Sequence, residues 1–354
     1  MANLMMKKIK PILGRAVRRL KYQFFRRNKG NPLICREVFH EVCILATGEV
    51  VCSCNDSEGF RILGNIHENR IYNIFLGKEY RKIRNQILAS DQSSLCPSLW
   101  WNCPFKSFPA EDFITDEANL FIDKIRLETF SWCNLRCPEC KVSEWMEAKK
   151  HRRLAHLPMK KIREVLEDTK DTLKDIWLYN FGESFMDRNL LDILRIIRQI
   201  TPRVFLYTHT NGTIMPNGWL ETIVREELLD SISFSIDGAS QKTYGRYRVG
   251  GKFETAFKNM IDLLSLKKKM GKSKPDIVWQ YILFKWNDSD EELLRAQKMA
   301  AEYGLTILWI ITHTPGKSKK YTFGSEEYQK LQGIKHYSSK LLAKRTDEKF
   351  SGKN

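Results

Sequence analysis

Cys133, Cys137 and Cys140 fall within eight residues, in the run Trp132-Cys133-Asn134-Leu135-Arg136-Cys137-Pro138-Glu139-Cys140. Spacings of three residues and then two crowd three thiols into one short loop. Soft thiolates at that density point to a metal. A structural zinc site is closed by four ligands, usually from paired CxxC-type knuckles, and no fourth Cys or His lies near this loop. An iron–sulfur cluster that keeps one iron open fits the ligand count better.

A loop of this kind needs a frame to hold it. At 354 residues the chain has the length for one large domain and a small one. No apolar run approaches the length that spans a bilayer. Nine cysteines is an odd count, and their clustering at 35–54, 96–103 and 133–140 is unlike an evenly stapled secreted scaffold. With no secretory signal pattern, a reducing cytoplasm is the expected compartment. The formal charge is +17, and residues 1–30 carry ten Lys or Arg and no acid. With Pro11 in a first helical turn and Leu13, Val17, Leu20 and Phe24 at helical spacing, this segment would suit an acidic partner or an anionic membrane surface, making the protein peripheral on the inner face. A solvated tail is the alternative. Nucleic acid is not an expected partner, because no recognition motif accompanies the charge.

Beyond the cysteine loop, strand and helix patterns alternate, the sign of βα units and a parallel sheet. Strands are expected at Lys124 to Phe130, Ile176 to Asn180, Val204 to Tyr207, Ser231 to Ile236, Ile277 to Phe284 and Leu305 to Ile311. Helices are expected around Ile162 to Leu166, Leu190 to Ile197, Trp219 to Leu229, Phe253 to Leu266 and Glu291 to Tyr303. A closed eight-unit barrel needs about 250 residues, whereas 124–313 holds 190. The fold expected is therefore α/β: a partial (β/α)6 TIM-type barrel over 120–315, preceded by a small cysteine-rich domain with a β-hairpin over 31–110. Residues 1–30 and a basic C-terminal tail, 316–354, flank them.

Parallel strands end on one rim, where active-site loops gather. The strand ends here read Asn180-Phe181-Gly182-Glu183-Ser184, then Thr208-His209-Thr210-Asn211-Gly212, then Ser233, Ser235, Asp237 and Gly238, with Tyr247-Arg248-Val249-Gly250-Gly251-Lys252-Phe253 beyond. Singly, each is an ordinary turn. In this order, behind that cysteine triplet, they resemble the radical S-adenosylmethionine (SAM) enzymes. The resemblance implies that Cys133, Cys137 and Cys140 hold a [4Fe–4S] cluster whose open iron binds SAM. Gly182 and Glu183 then match the family's Gly-Gly-Glu-Pro-like motif, which holds the SAM ammonium, with Phe181 and Ser184 replacing the first Gly and the Pro. Asn211 belongs to a family-like Thr-Asn-Gly turn. Ser235 and Asp237 are similar to a Ser-x-Asp-Gly pattern whose serine contacts SAM. Arg248 matches an arginine near the SAM carboxylate, where a planar guanidinium can meet both oxygens. Glu139 stands where the family often has an aromatic residue near the adenine, leaving Trp132 or Phe181 to supply that surface. The chemistry implied is reductive cleavage of SAM to a 5′-deoxyadenosyl radical that takes hydrogen from a substrate. An electron donor such as flavodoxin or ferredoxin is implied too.

Six further cysteines lie at 35–103. Val42 to Cys54 reads as a hairpin turning at Thr47-Gly48, and a two-residue loop would set Ala46 opposite Glu49 and Cys43 opposite Cys52. This stretch resembles a SPASM or Twitch-type auxiliary-cluster domain, placed before the barrel instead of after it. One auxiliary [4Fe–4S] cluster is expected, on Cys35, Cys54, Cys96 and Cys103, with Cys43 and Cys52 in reserve. A structural zinc and buried unligated cysteines are the alternatives.

Auxiliary clusters in such relatives pass electrons or help to bind substrate, which favours a peptide or protein substrate. A radical dehydrogenase or epimerase acting on a sugar or lipid-linked glycan intermediate is an alternative. A catalytically silent metal-binding adaptor is another. Tyr207, His209, Gln280, Tyr281, Trp309 and His313 are the candidates to line the cavity, and no residue is assigned to the substrate chemistry itself.

Overall fold

The computed structural model describes residues 37–52, 59, 61–88, 120–138, 140–147, 155–312, 315–322 and 324–333. Residues 1–30, Cys35, Cys54, Cys96, Cys103, Glu139 and His313 lie outside them. Six strands alternate with helices in the expected order: β4 (Lys124–Leu127), β5 (Asp175–Leu178), β6 (Phe205–Thr210), β7 (Ser231–Ser235), β8 (Asp276–Leu283) and β9 (Thr306–Ile311). Each pairs in parallel with the next. Three strands from the cysteine-rich unit, β1 (Glu41–Ile44), β2 (Glu49–Val51) and β3 (Ile62–Asn65), extend the same sheet, in the order β3-β2-β1-β4-β5-β6-β7-β8-β9. The N-terminal unit is thus welded to the barrel: β1 runs parallel to β4, with Cys43 opposite Arg126.

Alternation along every strand separates two faces. One carries Val42, Ile44, Ile125, Leu127, Ile176, Leu178, Leu206, Ile232, Phe234 and Trp279, all in the main core. Against that core pack the helices α1 (Ile71–Phe75), α2 (Lys78–Leu88), α4 (Met159–Thr169), α5 (Leu190–Ile200), α6 (Trp219–Arg225), α7 (Phe253–Lys269), α8 (Asp290–Tyr303) and α9 (Glu326–Gly333), while α3 (Lys141–Glu147) follows the cysteine loop. In α5, Leu190, Ile193, Leu194 and Ile197 are buried, the 3.6-residue stripe of a helix on a sheet. Tyr281 and Trp309 belong to this core as well, with rings 5.0 Å apart and the Tyr281 hydroxyl donating to Asn287 O at 2.9 Å. They do not line the cavity, because strand parity turns them toward the helices. The chain stays ordered past the last strand: Lys317 bridges to Phe284, and Tyr321 and Leu331 are buried within the stretch expected to be tail.

The hairpin register differs by one residue from the expectation. Cys43 faces Val51 and Ile44 faces Val50. The loop is the three-residue Ala46-Thr47-Gly48, closed by Gly48 N donating to Leu45 O and Leu45 N to Glu49 O, both at 2.8 Å. Gly48 takes φ +81°, and a Cβ there would come within 2.4 Å of the His67 ring. A left-handed glycine ending a three-residue turn shifts the pairing by one, and such a shift reverses faces. Cys43 therefore joins Leu45 and Val51 in a small cluster on the face away from the helices, while Cys52 packs against the main core.

The face away from the helices, hereafter the inner face, holds a charge network at one edge. Glu41 accepts from Lys124 Nζ at 2.6 Å and Arg126 Nε at 2.5 Å, and both cations lie over the Trp177 ring, at 3.7 and 4.4 Å. Burial by itself would raise the Glu41 carboxyl, but Arg126 and Lys124 outweigh it and hold it at about 2. Among the described residues no helix is long and apolar enough to cross a membrane. We expect Glu41→Gln, which removes the carboxylate that two buried cations share, to cost about 3–5 kcal/mol in urea unfolding at pH 7.

Candidate functional site

Past its strand ends, a parallel sheet leaves backbone N–H groups that need acceptors. On this rim three buried carboxylates supply them. Glu128, just after β4, accepts from Ala46 N at 2.9 Å and Phe181 N at 3.0 Å, tying the N-terminal hairpin to the loop after β5. Glu183 accepts from Asn211 N (2.7 Å), Thr210 Oγ1 (2.8 Å) and Phe185 N (3.1 Å), tying the β5 loop to the end of β6. Asp237, after β7, accepts from Ile282 N and Arg248 Nε, each at 2.7 Å. All three are at most 4% exposed.

The cysteine loop is stitched onto this frame. Glu183 N donates to Trp132 O at 2.7 Å, and Arg136 N to Val249 O at 2.9 Å. Asn211 Nδ2 reaches Asn134 Oδ1 at 2.9 Å and Cys133 Sγ at 3.7 Å, while Leu135 N donates to Cys133 Sγ at 3.4 Å. Arg248 Nη1 stands 3.9 Å from Cys137 Sγ. Gly182 is required at the closest crossing: at φ +81° its missing Cβ would lie 2.3 Å from Phe130 O. The loop after β5 therefore presses directly against the start of the cysteine loop. Of the expected aromatic surfaces, Trp132 is exposed and Phe181 partly buried.

Electrostatics fit a cation in the loop. Burial pushes the Cys133 thiol up to about 11 and raises Cys137 as well, where Arg248 opposes it. These sulfurs need a metal's charge to become thiolates. Among the described residues no three Cys, His, Asp or Glu side chains gather on one point as a single ion requires. Cluster ligands bind separate irons, so a cluster makes no such demand. Arg248 stays protonated: burial opposes its charge, but Asp237 and Cys137 outweigh that. Beside it lies a residue that sequence reasoning missed. Tyr244 is fully buried, its hydroxyl has no partner among the described residues, and Arg248, Cys137, Asp237 and Glu183 all act on it. An orphaned buried hydroxyl there marks a place for a polar ligand. Its only sequence signal is its place three residues before Tyr247-Arg248.

Below the rim the inner face is aromatic and hydroxyl-rich. Tyr179 and Tyr207 flank His209 at ring distances of 4.0 and 4.8 Å, Tyr207 pairs with Ser233 Oγ at 2.8 Å, and Gln280 Nε2 donates to Ser235 Oγ at 3.3 Å. Of the cavity candidates, Tyr207, His209 and Gln280 are thus on this face.

A family model for the Radical SAM superfamily matches residues 127–322, and one described as an iron–sulfur cluster-binding domain, SPASM, matches residues 35–104. Similar solved structures include native anSMEcpe with bound AdoMet and Cp18Cys peptide, at 12% identity and TM-score 0.40 over 55% of this chain and 54% of that one. Methylornithine synthase (PylB) follows at 14% and 0.40, over 64% and 62%. BtrN in complex with AdoMet and 2-DOIA stands at 18% and 0.33, over 66% and 89%. The chain spans 54% and 62% of the length of the first two. No curated protein matches it.

Burial, with Arg248 and Arg126 adding, holds His209 neutral down to about 3. The unfolded chain binds that proton near pH 6.5, so the fold loses stability as pH falls below that value. His209→Gln should remove up to about 1.4 kcal/mol of this loss per pH unit, read from urea midpoints between pH 7 and 5.

Proposed function

The chain belongs to the radical SAM superfamily, whose match covers more than half of its length, and we propose that it oxidises a peptide or protein substrate by hydrogen abstraction. It is a radical SAM enzyme with a [4Fe–4S] cluster, SAM and an auxiliary iron–sulfur cluster in the N-terminal unit. When bound, the first cluster and SAM supply a 5′-deoxyadenosyl radical that removes hydrogen from the substrate, as the cofactor's own chemistry. In this reading Cys133, Cys137 and Cys140 hold that cluster, and Gly182, Glu183, Asn211, Ser235 and Arg248 border SAM. The carboxylates of Glu183 and Asp237 act mainly by position, since each already accepts hydrogen bonds inside the protein.

One observation carries the reading: a protonated arginine stands 3.9 Å from Cys137 Sγ at the strand ends, and a tyrosine hydroxyl on which both act has no partner among the described residues. Together they can fix a carboxylate, Arg248 by its planar fork and Tyr244 by one donated bond. Ser233, Tyr207 and His209 below offer neutral hydrogen bonds between aromatic walls, which suits an uncharged side chain and keeps water out. The N-terminal unit shares the sheet, which favours substrate oxidation with a second redox centre at hand. A flavodoxin or ferredoxin as electron donor, and contact of residues 1–30 with an inner membrane surface, belong to the same proposal.

Changing any one of Cys133, Cys137 or Cys140 to Ala should abolish 5′-deoxyadenosine formation by anaerobically reconstituted, reduced protein; undiminished cleavage of SAM would refute the site. Tyr244→Phe should leave thermal stability unchanged or raised, because it removes an unsatisfied hydroxyl, yet weaken SAM binding about 2–10-fold by calorimetry. Deuterium passing from a labelled peptide into 5′-deoxyadenosine would support the substrate class. Transfer only from labelled sugar nucleotides would replace it with a sugar.

A further inference from the structure

Consecutive residues of the loop after β7 face opposite ways. Arg248 turns inward, its Nε on Asp237 at 2.7 Å and its Nη1 3.9 Å from Cys137 Sγ, while Val249 is 42% exposed. Val249 O accepts from the N–H of Arg136, the residue before Cys137, and Cys137 itself is buried. One thickness of backbone therefore lies between solvent and the cysteine loop at this point. Two of the four large hydrophobic side chains exposed among the described residues belong to these two loops: Val249 and Trp132, the residue before Cys133.

The charge beside Val249 is of one sign. From Gly238 to Phe253 the sequence holds Lys242, Arg246, Arg248 and Lys252 and no acid. Arg136, Arg246 and Lys252 are exposed, and among the described residues none of the three pairs with a carboxylate. Cations on the helices do pair: Lys161 with Glu164, Arg195 with Glu226, Lys258 with Asp262. Asp237 is fully buried and taken by Arg248, which leaves the exposed Glu254, two residues after Lys252, against three cations. Two of those cations are held in place. Arg136 Nη1 donates to Leu135 O at 3.0 Å and Cys133 O at 3.2 Å, and Arg246 lies 5.3 Å over the Trp286 ring, which stacks on Phe284 at 4.5 Å. Cations fixed in advance lose little freedom when a partner binds.

We propose that this face, with Val249 at its centre and Arg136, Arg246 and Lys252 beside it, is where an acidic one-electron carrier protein docks to reduce the cluster on Cys133, Cys137 and Cys140. The proposal rests on the reading of that loop as the cluster site. In the step, one electron leaves the reduced carrier and enters the cluster; no bond forms or breaks. Such transfer falls steeply with distance, which favours a surface where a single loop covers the cysteines. The inner face stays free for SAM and substrate. Opposite charge steers the encounter, and an apolar centre excludes water from the contact.

The test uses the full chain reconstituted without oxygen, with oxidised flavodoxin and oxidised ferredoxin as probes in calorimetry. At least one of them should bind, and more weakly as salt is added. Arg246→Glu with Lys252→Glu should weaken that binding about 10-fold or more and raise the KM for the same carrier, reduced, in 5′-deoxyadenosine formation. Turnover driven by dithionite, a small reductant that needs no docking, should stay at the rate of the unaltered chain. Lys170→Glu with Lys330→Glu makes the same change in net charge on other helices and should leave carrier binding as it was. Binding of neither probe, an affinity indifferent to the Arg246 and Lys252 changes, or an equal loss with the Lys170 and Lys330 changes would each overturn the docking face. A KM that rises for a peptide substrate while carrier affinity holds would give the face to an acidic substrate instead. Should the double Glu variant lose its iron, Arg246→Gln with Lys252→Gln decides. Absence of dithionite-driven SAM cleavage in the unaltered chain would refute the cluster reading itself; cleavage with carrier affinity unmoved by the charge changes refutes the docking face alone.

Discussion

A buried carboxylate that accepts backbone N–H groups from the next strand is the interaction on which this rim is built. Glu128, Glu183 and Asp237 repeat it after β4, β5 and β7, and each spans from its own strand end to a neighbouring loop. A carboxylate has two oxygens and several acceptor sites, so one side chain can close two or three donors that the sheet ladder leaves open. Without it, those buried N–H groups would each carry a desolvation cost of about 1–3 kcal/mol. The cysteine loop gains its geometry second-hand, from the loops these carboxylates fix.

The same device joins the two halves of the protein. Glu128 belongs to the barrel but accepts from Ala46 at the tip of the N-terminal hairpin, and from Phe181 in the loop that crosses under the cysteines. A displacement of the hairpin is therefore felt two hydrogen bonds from Gly182. The parallel pairing of β1 with β4 and the Glu41 network strengthen this joint, since Glu41 comes from β1 and its two cations from β4. Two cofactor-bearing units built on one sheet keep a fixed spacing, which a flexible linker would not give.

Tyr244 and Tyr80 are both fully buried, and among the described residues neither hydroxyl has a partner. Two other buried tyrosines do have partners: Tyr207 has Ser233, and Tyr281 has Asn287 O.

Strand order, the six parallel βα units and the cysteine loop were legible because period-two and period-3.6 burial and close-set thiols are local properties of the chain. Gly182 could be picked from its motif, though only the 2.3 Å approach to Phe130 O explains why no side chain fits there. Tyr244 carried no local mark, since a buried tyrosine reads in sequence as one more helix residue. The faces of Cys43 and Cys52 were settled by a single left-handed glycine, which local spacing fits as well to a two-residue turn as to a three-residue one. The sequence by itself determined which chemistry the chain can carry, because ligand type and spacing are written along it. Only the tertiary structure decided which side chains face that chemistry, because strand register and the crossing of loops depend on contacts between residues far apart in the chain.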